Sequence, residues 1–360
     1  MQLRIPGPTP CPPEVLEAMG RQMINHRGSQ FAEMLNRITE KMKQLYQTKN
    51  DLYILTGSGT GSLEAAVVNM LSPGDKVLSA SNGVFGNRFA DIAAGYGADV
   101  TRLKFEWGTP VDPDGVRQAL KADPKIKAVL LTHNETSTGV TSDVQAIAAV
   151  INEFDKLIMV DAISSLGCID LQPDAWKCDV VITGSQKGWM VPPGMAMVSI
   201  SERGWKAHAQ AKIPRFYWDF TRAKNYFEKG QTPWTPAISI LFALDASLNM
   251  MFKEGLANIF ARHAKLGDMT RSGVKALGLA IFPADEKYAS NTVTAVKGSD
   301  KVDPPKLQKV LREEYKVVVS GGQGDLTGKI FRIGHLGWVT EADIKETLDA
   351  IGKALPKASA

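Results

Sequence analysis

Short apolar runs alternate with longer segments of helical periodicity in the first 200 residues of the chain. The runs are almost continuously apolar, which is typical of strands that helices cover on both faces. They occupy residues 52–55, 76–79, 99–103, 128–131, 157–160, 180–183 and 196–200. The segments 62–71 and 143–154 between them have apolar residues at helical spacing. This alternation predicts βαβ units and a mainly parallel sheet, so the predicted fold class is α/β.

The pattern changes near residue 235, where a long helical segment over 237–277 begins. A break near Gly255 divides this segment. The following residues predict a strand at 292–296, a helix at 304–315, strands at 317–319 and 330–333, and a helix at 341–354. This mixed order is typical of a smaller α+β domain. We therefore divide the chain into an N-terminal arm (1–20), a large domain (21–254) and a small C-terminal domain (255–360).

Composition and charge restrict the classes of protein that the chain can belong to. Its 360 residues are 44% hydrophobic and 22% charged, which excludes a disordered chain and suits an enzyme of two domains or one large α/β unit. The net charge of +4 gives no reason to expect nucleic acid or a membrane as a partner. The longest apolar stretch, 237–252, contains Asp245 and is expected to be a buried helix.

The cysteines and the N-terminal residues favour a cytoplasmic protein. Cys11, Cys168 and Cys178 are odd in number for a disulfide framework, and their spacing matches no metal motif. We therefore expect a reducing compartment and no bound metal. Prolines at positions 6, 8, 10, 12 and 13 leave no room for an apolar leader.

A glycine-rich segment, residues 56–61 (Thr-Gly-Ser-Gly-Thr-Gly), joins a predicted strand to a predicted helix. Glycine lets the backbone approach a ligand closely, and free N–H groups at a helix N-terminus suit a phosphate. Two nucleotide motifs are incomplete, because no Walker lysine occurs before Lys76 and because Ser62 stands where the dinucleotide fingerprint needs glycine or alanine. The segment therefore indicates either a site for one phosphate or simply a tight turn.

Asp161 and Lys187 follow two other predicted strands. Asp161 comes directly after the run 157–160, where ligands of open α/β sheets bind, although an aspartate there also suits a helix cap. Lys187 follows the run 180–183 within Gly-Ser-Gln-Lys-Gly, and it is either a surface lysine or an amine that forms a Schiff base. A phosphate cradle, a carboxylate and a lysine at the carboxyl ends of parallel strands are together what pyridoxal 5′-phosphate requires.

With these residues the chain resembles a known family. It is similar to the class V aminotransferases of the pyridoxal-phosphate fold type I superfamily, close to the alanine–glyoxylate and serine–glyoxylate group. The resemblance covers nearly the whole chain and implies a large, mainly parallel-sheet domain with a smaller C-terminal α+β domain. Its markers are residues 6–9, 56–61, 82–88, 132–139, 160–161, 184–187 and 331–337.

The resemblance implies roles for residues around the cofactor. Lys187 is the Schiff-base lysine and moves the proton, Asp161 pairs with the pyridinium nitrogen, and Phe85 stacks on the ring. The phosphate ligands it implies are Ser58, Gly59, Thr60, Gln186 and, from a partner subunit, Thr235. Because of that last contact the active unit is expected to be a homodimer.

The resemblance also implies how substrates bind. Arg332 clamps the carboxylate of the amino acid and of the 2-oxo acid, a bidentate task that suits arginine. Thr136 contacts the region of the cofactor 3′ oxygen and the substrate carboxylate, and Gly7 lines the mouth of the pocket. Since the sequence indicates no second cationic residue in the substrate pocket, small monocarboxylic substrates are expected.

Three positions depart from the family pattern. Phe85 stands where tryptophan is common, Thr136 replaces a serine, and Thr232 aligns with a tyrosine that contacts the phosphate in some members. Three more side chains, Trp234, His335 and His133, have two possible roles: they either shape the pocket or pack in the core. For the last of these a structural role is favoured, because a histidine without a visible partner is weak support for chemistry.

The expected reaction is a ping-pong transamination from serine or alanine to glyoxylate or pyruvate. A cysteine desulfurase needs a cysteine well after the lysine, and this is excluded because the last cysteine, Cys178, precedes Lys187. Two alternatives stay open. One is other chemistry on the same fold, such as a lyase or a transaminase of different specificity. The other is a non-catalytic subunit that keeps the fold, which would be expected to lose Lys187 or Asp161.

Overall fold

A computed structural model describes residues 1–359, and its largest element is a sheet of seven strands. In spatial order the strands are β2 (Asp51–Gly57), β10 (Gly194–Ile200), β9 (Val180–Gly184), β8 (Leu157–Asp161), β5 (Ala128–Thr132), β3 (Lys76–Ser81) and β4 (Asp99–Lys104). All of them except β10 run in one direction. The predicted α/β fold class and the mainly parallel sheet are confirmed.

The exception, β10, is antiparallel to both of its neighbours. It follows β9 after residues 185–193, which contain no helix. A strand can pair antiparallel with its predecessor across a short connection, whereas a parallel partner needs a longer crossover. The register pairs Met197 with Thr183 on one side and with Ile54 on the other. The short connection therefore reverses one strand of a sheet that is otherwise parallel.

Helices cover both faces of this sheet and bury its apolar side chains. One face packs against side chains such as Leu63 and Phe89, and the other against side chains such as Phe31 and Ile147. The helices of this part of the chain are α1 (Pro13–Met19), α2 (Ser29–Leu45), α3 (Gly59–Met70), α4 (Val84–Gly95), α5 (Pro113–Ala122), α6 (Val144–Glu153), α7 (Glu202–Gln210), α8 (Phe220–Phe227) and α9 (Ile238–Glu254). The helices predicted at 62–71 and 143–154 are confirmed as α3 and α6.

The C-terminal residues form a second sheet, to which the N-terminus contributes a strand. In spatial order its strands are β1 (Gln2–Arg4), β12 (Val317–Gly321), β13 (Ile330–Gly334) and β11 (Val293–Lys297). Its helices are α10 (Leu256–Ala276), α11 (Pro304–Glu314) and α12 (Glu341–Ala354). The predicted break is confirmed, since Gly255, with φ +83°, separates α9 from α10. The domain limits themselves remain predictions.

A short hairpin, β6 (Asn134–Glu135) and β7 (Val140–Thr141), follows β5. It brings its residues to the edge of the large sheet at which β2, β3, β8 and β9 also end. The parallel strands therefore collect several loops at one edge. Within residues 1–359, no helix combines the length and the apolar character needed to cross a membrane.

Candidate active site

A cavity of about 260 Å³ lies at the edge where β2, β3, β5, β8 and β9 end. The loops that follow these strands line it, together with Gly7 and Pro8 of the N-terminal segment. Ligands of open α/β sheets bind at this carboxyl edge. The residues singled out in the sequence that line the cavity are Gly7, Ser58, Gly59, Thr60, Phe85, Thr136, Asp161, Gln186 and Lys187.

The loop after β2 forms the first turn of α3. Ser58 has extended backbone and caps the helix, because its Oγ accepts a 3.2 Å hydrogen bond from the amide of Gly61. The amides of Gly59 and Thr60 precede any carbonyl that could accept from them within the helix. Packing also requires Gly59, since a Cβ there would lie 2.9 Å from Cδ1 of Ile163. The turn is therefore tight and also offers free donors that suit a phosphate.

Lys187 follows β9 and is held against the N-terminal segment. Its Nζ donates a hydrogen bond to the carbonyl of Pro6, and its own carbonyl accepts one of 3.1 Å from Oγ1 of Thr9. Gly7 has φ +128°, and a Cβ there would lie 2.7 Å from the Lys187 Nζ. Burial lowers the pKa of Lys187 to about 8, with Arg332 contributing, while Asp161 opposes the shift. Gly7 thus leaves room for the side chain of Lys187. With its lowered pKa, the Lys187 amine is partly neutral near pH 7.

Asp161 is the last residue of β8, and its side chain lies in the same cavity as Lys187. Its Oδ1 accepts a hydrogen bond of 2.9 Å from the amide of Ile163. Burial raises the pKa of Asp161 to about 7, the Ile163 amide lowers it, and the charge of Glu135 raises it further. Within residues 1–359, Asp161 and Lys187 form no ion pair at 4.0 Å or less, so both groups are available to a ligand.

The hairpin after β5 contributes a buried hydrogen-bond network to the cavity wall. Oγ1 of Thr136 donates to Oγ of Ser164 at 2.8 Å, and that hydroxyl donates to the carbonyl of Asn134 at 2.9 Å. Nδ2 of Asn134 donates to Oγ1 of Thr292 at 2.9 Å, which connects the hairpin to the small domain. The sequence indicated no role for Asn134, Ser164 or Thr292. Their positions depend on three separate loops, which no single sequence motif describes.

Arg332, on β13 of the second sheet, does not itself line the cavity but lies behind Thr136, which does. Its Nη1 donates to the carbonyl of Thr136 at 3.1 Å, and its Nε donates to the carbonyl of Gly321 at 2.9 Å. Nη2 has no hydrogen-bond partner within residues 1–359. Burial lowers the pKa of Arg332 to about 10, while Glu135 raises it. The guanidinium is fixed on one side and keeps a donor for an anion on the other.

Thr235 is exposed and does not line the cavity. The neighbouring Trp234 stacks on Phe216, with ring centroids 4.9 Å apart, and donates from Nε1 to the carbonyl of Tyr217 at 2.9 Å. Oγ1 of Thr232 donates to the carbonyl of Trp234 at 2.7 Å. Within one chain this segment packs on itself, and the contact between Thr235 and a partner's phosphate stays a prediction.

The two histidines that the sequence left open are buried and do not line the cavity. His335 contacts Oγ1 of Thr294 at 3.0 Å through Nε2 and the carbonyl of Asn291 at 3.1 Å through Nδ1. Nδ1 of His133 lies 2.9 Å from Oγ of Ser165. Burial lowers the pKa of His133 to about 4 and the pKa of His335 to about 3. Both rings are therefore neutral at physiological pH and act in packing.

Glu135 has a positioning role that sequence reasoning missed. Its buried carboxylate accepts hydrogen bonds from the amides of Phe85 at 3.0 Å and Gly86 at 3.1 Å, and also from the amide and hydroxyl of Ser137. Burial raises the pKa of the Glu135 carboxyl, and these hydrogen bonds lower it. A carboxylate is favourable at a helix N-terminus, so Glu135 fixes the first turn of α4 and with it Phe85.

Arg88 corrects one expectation from the sequence. No second cationic residue was expected in the pocket, but Arg88 lines the cavity together with Phe85. It lies one helical turn after Phe85 on α4, so the two side chains share one face of the helix. The spacing of Phe85 and Arg88 was visible in the sequence, but the residues that face them come from other loops.

Comparison with known proteins decides the family. A family model described as aminotransferase class-V matches residues 3–332. The chain belongs to the class-V aminotransferase family. It is therefore a pyridoxal-phosphate-dependent aminotransferase of α/β fold type I.

Relatives of this aminotransferase cover almost its whole length. The chain is 44% identical to the soluble hydrogenase 42 kDa subunit of Anabaena cylindrica over 96% of this chain and 90% of that protein. It is 37% identical to the serine–glyoxylate aminotransferase of Methylorubrum extorquens over 95% of this chain and 88% of that protein. The solved alanine–glyoxylate aminotransferase of Nostoc sp. is 31% identical, with a TM-score of 0.94, over 98% of this chain and 94% of that chain.

The cavity of this class-V aminotransferase fits pyridoxal 5′-phosphate. The free amides of α3 suit its phosphate, Lys187 supplies an amine of lowered pKa, and Asp161 supplies a carboxylate that is not committed to an ion pair. Oε1 of Gln186, beside the cradle, is buried without a hydrogen-bond partner within residues 1–359. Buried polar atoms normally have hydrogen-bond partners, so an unpaired oxygen in this place is consistent with a site for a polar ligand.

Proposed function

We propose that this aminotransferase transfers the amino group of serine or alanine to glyoxylate or pyruvate in a ping-pong reaction. The observation that carries the proposal is a cavity lined by the amine of Lys187 and the carboxylate of Asp161. Beside this cavity lies Arg332, whose Nη2 has no hydrogen-bond partner within residues 1–359. The names of the serine–glyoxylate and alanine–glyoxylate relatives support this choice of substrates.

In this proposal the side chains position the cofactor and move protons. When bound, pyridoxal 5′-phosphate supplies an aldehyde that takes up the amino group and a ring that disperses negative charge. The amine of Lys187, partly neutral because of its lowered pKa, would remove the proton from the α-carbon of the donor amino acid. In the second half-reaction it would deliver a proton to the α-carbon of the product amino acid. Asp161, whose carboxylate is oriented by the amide of Ile163, would supply the charge that pairs with the ring nitrogen. Phe85, at the cavity wall, would hold the ring by packing against it.

The proposed substrate clamp is Arg332. Its Nε and Nη1 are bound to backbone carbonyls, so Nη2 is the donor left for the substrate carboxylate. Thr136 and Gly7 both line the cavity. Because Gly7 has no side chain, it leaves room for Lys187. One clamp of this kind suits a substrate with a single carboxylate, which favours serine and alanine over dicarboxylic amino acids.

We also propose that the active unit is a homodimer in the cytoplasm. Support for the dimer comes from the exposed aromatic side chains beside Thr235, since Phe216 is 63% and Tyr217 is 45% exposed. Exposed apolar patches of this kind are typical of protein interfaces. A reducing compartment is supported by the cysteines, none of which is in a disulfide within residues 1–359.

A half-reaction screen tests the proposed function. The purified protein, loaded with pyridoxal 5′-phosphate, is mixed with serine, alanine, aspartate or glutamate without an acceptor. The visible absorbance of the cofactor is followed, and the 2-oxo acid product is identified by chromatography. We expect serine or alanine to give one equivalent of 2-oxo acid per site, and glyoxylate or pyruvate then to restore the absorbance.

Two results of this screen would contradict the proposal. Conversion by aspartate or glutamate alone would replace the proposed substrates with dicarboxylic ones. If no amino acid converts the cofactor, the proposed reaction fails even though the fold and the cofactor site are intact.

A further inference from the structure

Arg88 is a cation of the cavity wall to which no sequence motif gave a role. It lies on α4 (Val84–Gly95), and its guanidinium carbon is 4.8 Å from the centroid of the Phe85 ring. This cation–π contact holds the guanidinium against the Phe85 ring beside the cavity. Glu135 holds the first turn of the same helix through the amides of Phe85 and Gly86. The arginine therefore has a defined position although it is only half-buried.

The donors of Arg88 are largely unused. Its Nη1 lies 3.5 Å from Oγ1 of Thr60, which is at the limit of a hydrogen bond. Within residues 1–359 it makes no other hydrogen bond through its side chain and has no carboxylate within 4.0 Å. An arginine offers five donors in a planar fork. Most of this donor set therefore remains free next to the first turn of α3.

The charges of the cavity indicate what Arg88 binds. Lys187 and Arg88 are the cations among the residues that line it, and Lys187 is needed for the amine chemistry. The cradle at Ser58, Gly59 and Thr60 offers neutral donors only. A phosphate that carries one to two negative charges gains more from a paired cation than from neutral donors alone.

We infer that Arg88 binds the phosphate group of pyridoxal 5′-phosphate, together with the N-terminus of α3. The inference deepens the proposed function and rests on the cofactor of this family. It also explains how the cavity holds a second cation without a second substrate clamp. Arg88 is committed to the phosphate, and Arg332 alone remains for the substrate carboxylate.

A distal carboxylate of a dicarboxylic substrate is the competing anion for Arg88. The contacts favour the phosphate, because the one hydrogen-bond partner of the guanidinium within residues 1–359 is Thr60 of the cradle. The attraction to the Phe85 ring also favours this position of the guanidinium over one in another part of the cavity. The two anions are distinguished by ligands that differ only in the phosphate.

The test measures binding rather than turnover. Full-length protein freed of cofactor is titrated with pyridoxal 5′-phosphate and, separately, with pyridoxal, which lacks the phosphate, and tryptophan fluorescence reports binding. The variants are Arg88→Gln and Arg88→Lys, and Arg102→Gln is the control, because Arg102 is an exposed arginine on β4 (Asp99–Lys104). We expect Arg88→Gln to weaken pyridoxal 5′-phosphate binding about 10- to 100-fold, as for loss of a charge-assisted hydrogen bond. Arg88→Lys should lose less, and pyridoxal affinity should not change.

A second measurement keeps the test independent of folding defects. Inorganic phosphate should compete with pyridoxal 5′-phosphate in the wild-type protein and in Arg102→Gln, and about tenfold less well in Arg88→Gln. If Arg88→Gln weakens the binding of pyridoxal and of pyridoxal 5′-phosphate equally, the inference is overturned, and Arg88 acts only in packing with Phe85. The inference is also overturned if Arg88→Gln keeps the wild-type affinity for pyridoxal 5′-phosphate but has a raised KM for aspartate and not for alanine. Arg88 would then bind the distal carboxylate of a substrate. If the wild-type protein binds the cofactor but transaminates no amino acid, the proposed function is wrong. The binding measurements on the Arg88 variants can still be interpreted in that case.

Discussion

The two edges of the large sheet carry pockets of opposite character. The carboxyl edge has the cavity of about 260 Å³ with buried Lys187 and Asp161. The amino edge has a larger, open cleft of about 410 Å³, lined by Lys127, Lys156 and Arg203 among others. Of these two pockets, the one at the amino edge is larger, whereas the chemistry and the family relationship select the one at the carboxyl edge.

The difference lies in how the charges are satisfied. At the amino edge Lys127 pairs with Asp75, Arg203 pairs with Asp179 at 2.7 Å, and Nζ of Lys156 donates to the carbonyl of Pro124 at 2.7 Å. At the carboxyl edge burial lowers the pKa of Lys187 to about 8 and raises the pKa of Asp161 to about 7, and the two form no ion pair. Groups that are buried without a full set of partners mark the edge that binds a ligand.

The largest expected effect comes from the amine at the carboxyl edge. Lys187→Ala should lower kcat for transamination at least about a thousandfold, because it removes the group that moves the α-proton. A coupled assay for the 2-oxo acid measures this, and the melting temperature of the variant is recorded alongside. A variant with kcat within tenfold of the wild type would show that another base acts in the cavity.

The substrate clamp should give the next largest effect. Arg332→Lys should lower kcat/KM for alanine about 10- to 100-fold, since a lysine keeps the charge but lacks the planar fork that is bound to Thr136 and Gly321. Steady-state kinetics with alanine and glyoxylate measure the change. The affinity for pyridoxal 5′-phosphate, measured in the same preparations, should stay within about twofold of the wild type. Loss of cofactor affinity without loss of kcat/KM would remove Arg332 from the substrate site.

The lowered pKa of Lys187 predicts a pH dependence. A lysine reacts as the neutral amine, so the rate at which protein freed of cofactor captures pyridoxal 5′-phosphate should rise with pH through about 8. Between pH 7 and pH 9 the neutral fraction, and hence the rate, should increase about tenfold and then level off. Stopped-flow absorbance measures the capture. A rate that keeps rising toward pH 10.5 without levelling would mean that Lys187 behaves as an ordinary exposed lysine.

The smallest effect is expected at the amino edge and serves as the contrast. Lys206 lines the larger cleft and pairs with Glu202 one turn earlier on α7 (Glu202–Gln210), with both side chains mostly exposed. Because exposed ion pairs contribute little, Lys206→Ala should leave kcat/KM and the melting temperature unchanged within error. A clear loss of activity would mean that the amino edge takes part in function, and the comparison of the two edges would then fail.

Much of the fold could be predicted from local patterns. Each of the seven strands of the large sheet begins within two residues of its predicted start. For the strands inside the sheet the reason is that burial on both faces leaves an apolar run in the sequence. The edge strand β4 is mostly exposed and mixes apolar with polar residues. The helices α1, α2, α4, α5, α7 and α8 received no prediction, and neither did β1, whose partner β12 is more than three hundred residues away. Pairing over such a distance leaves no periodic signal near the N-terminus.

For the candidate site, the sequence by itself determined which chemistry-bearing residues follow the ends of strands: Ser58, Asp161 and Lys187. Parallel strands end at one edge, so their assembly into one cavity followed from the strand pattern. Only the tertiary structure decided that Arg88 lies on the cavity wall, that Glu135 fixes α4, and that His133 and His335 are buried away from the site. These assignments depend on contacts between distant segments, and a local pattern describes a residue's own element but not the groups that the fold brings against it.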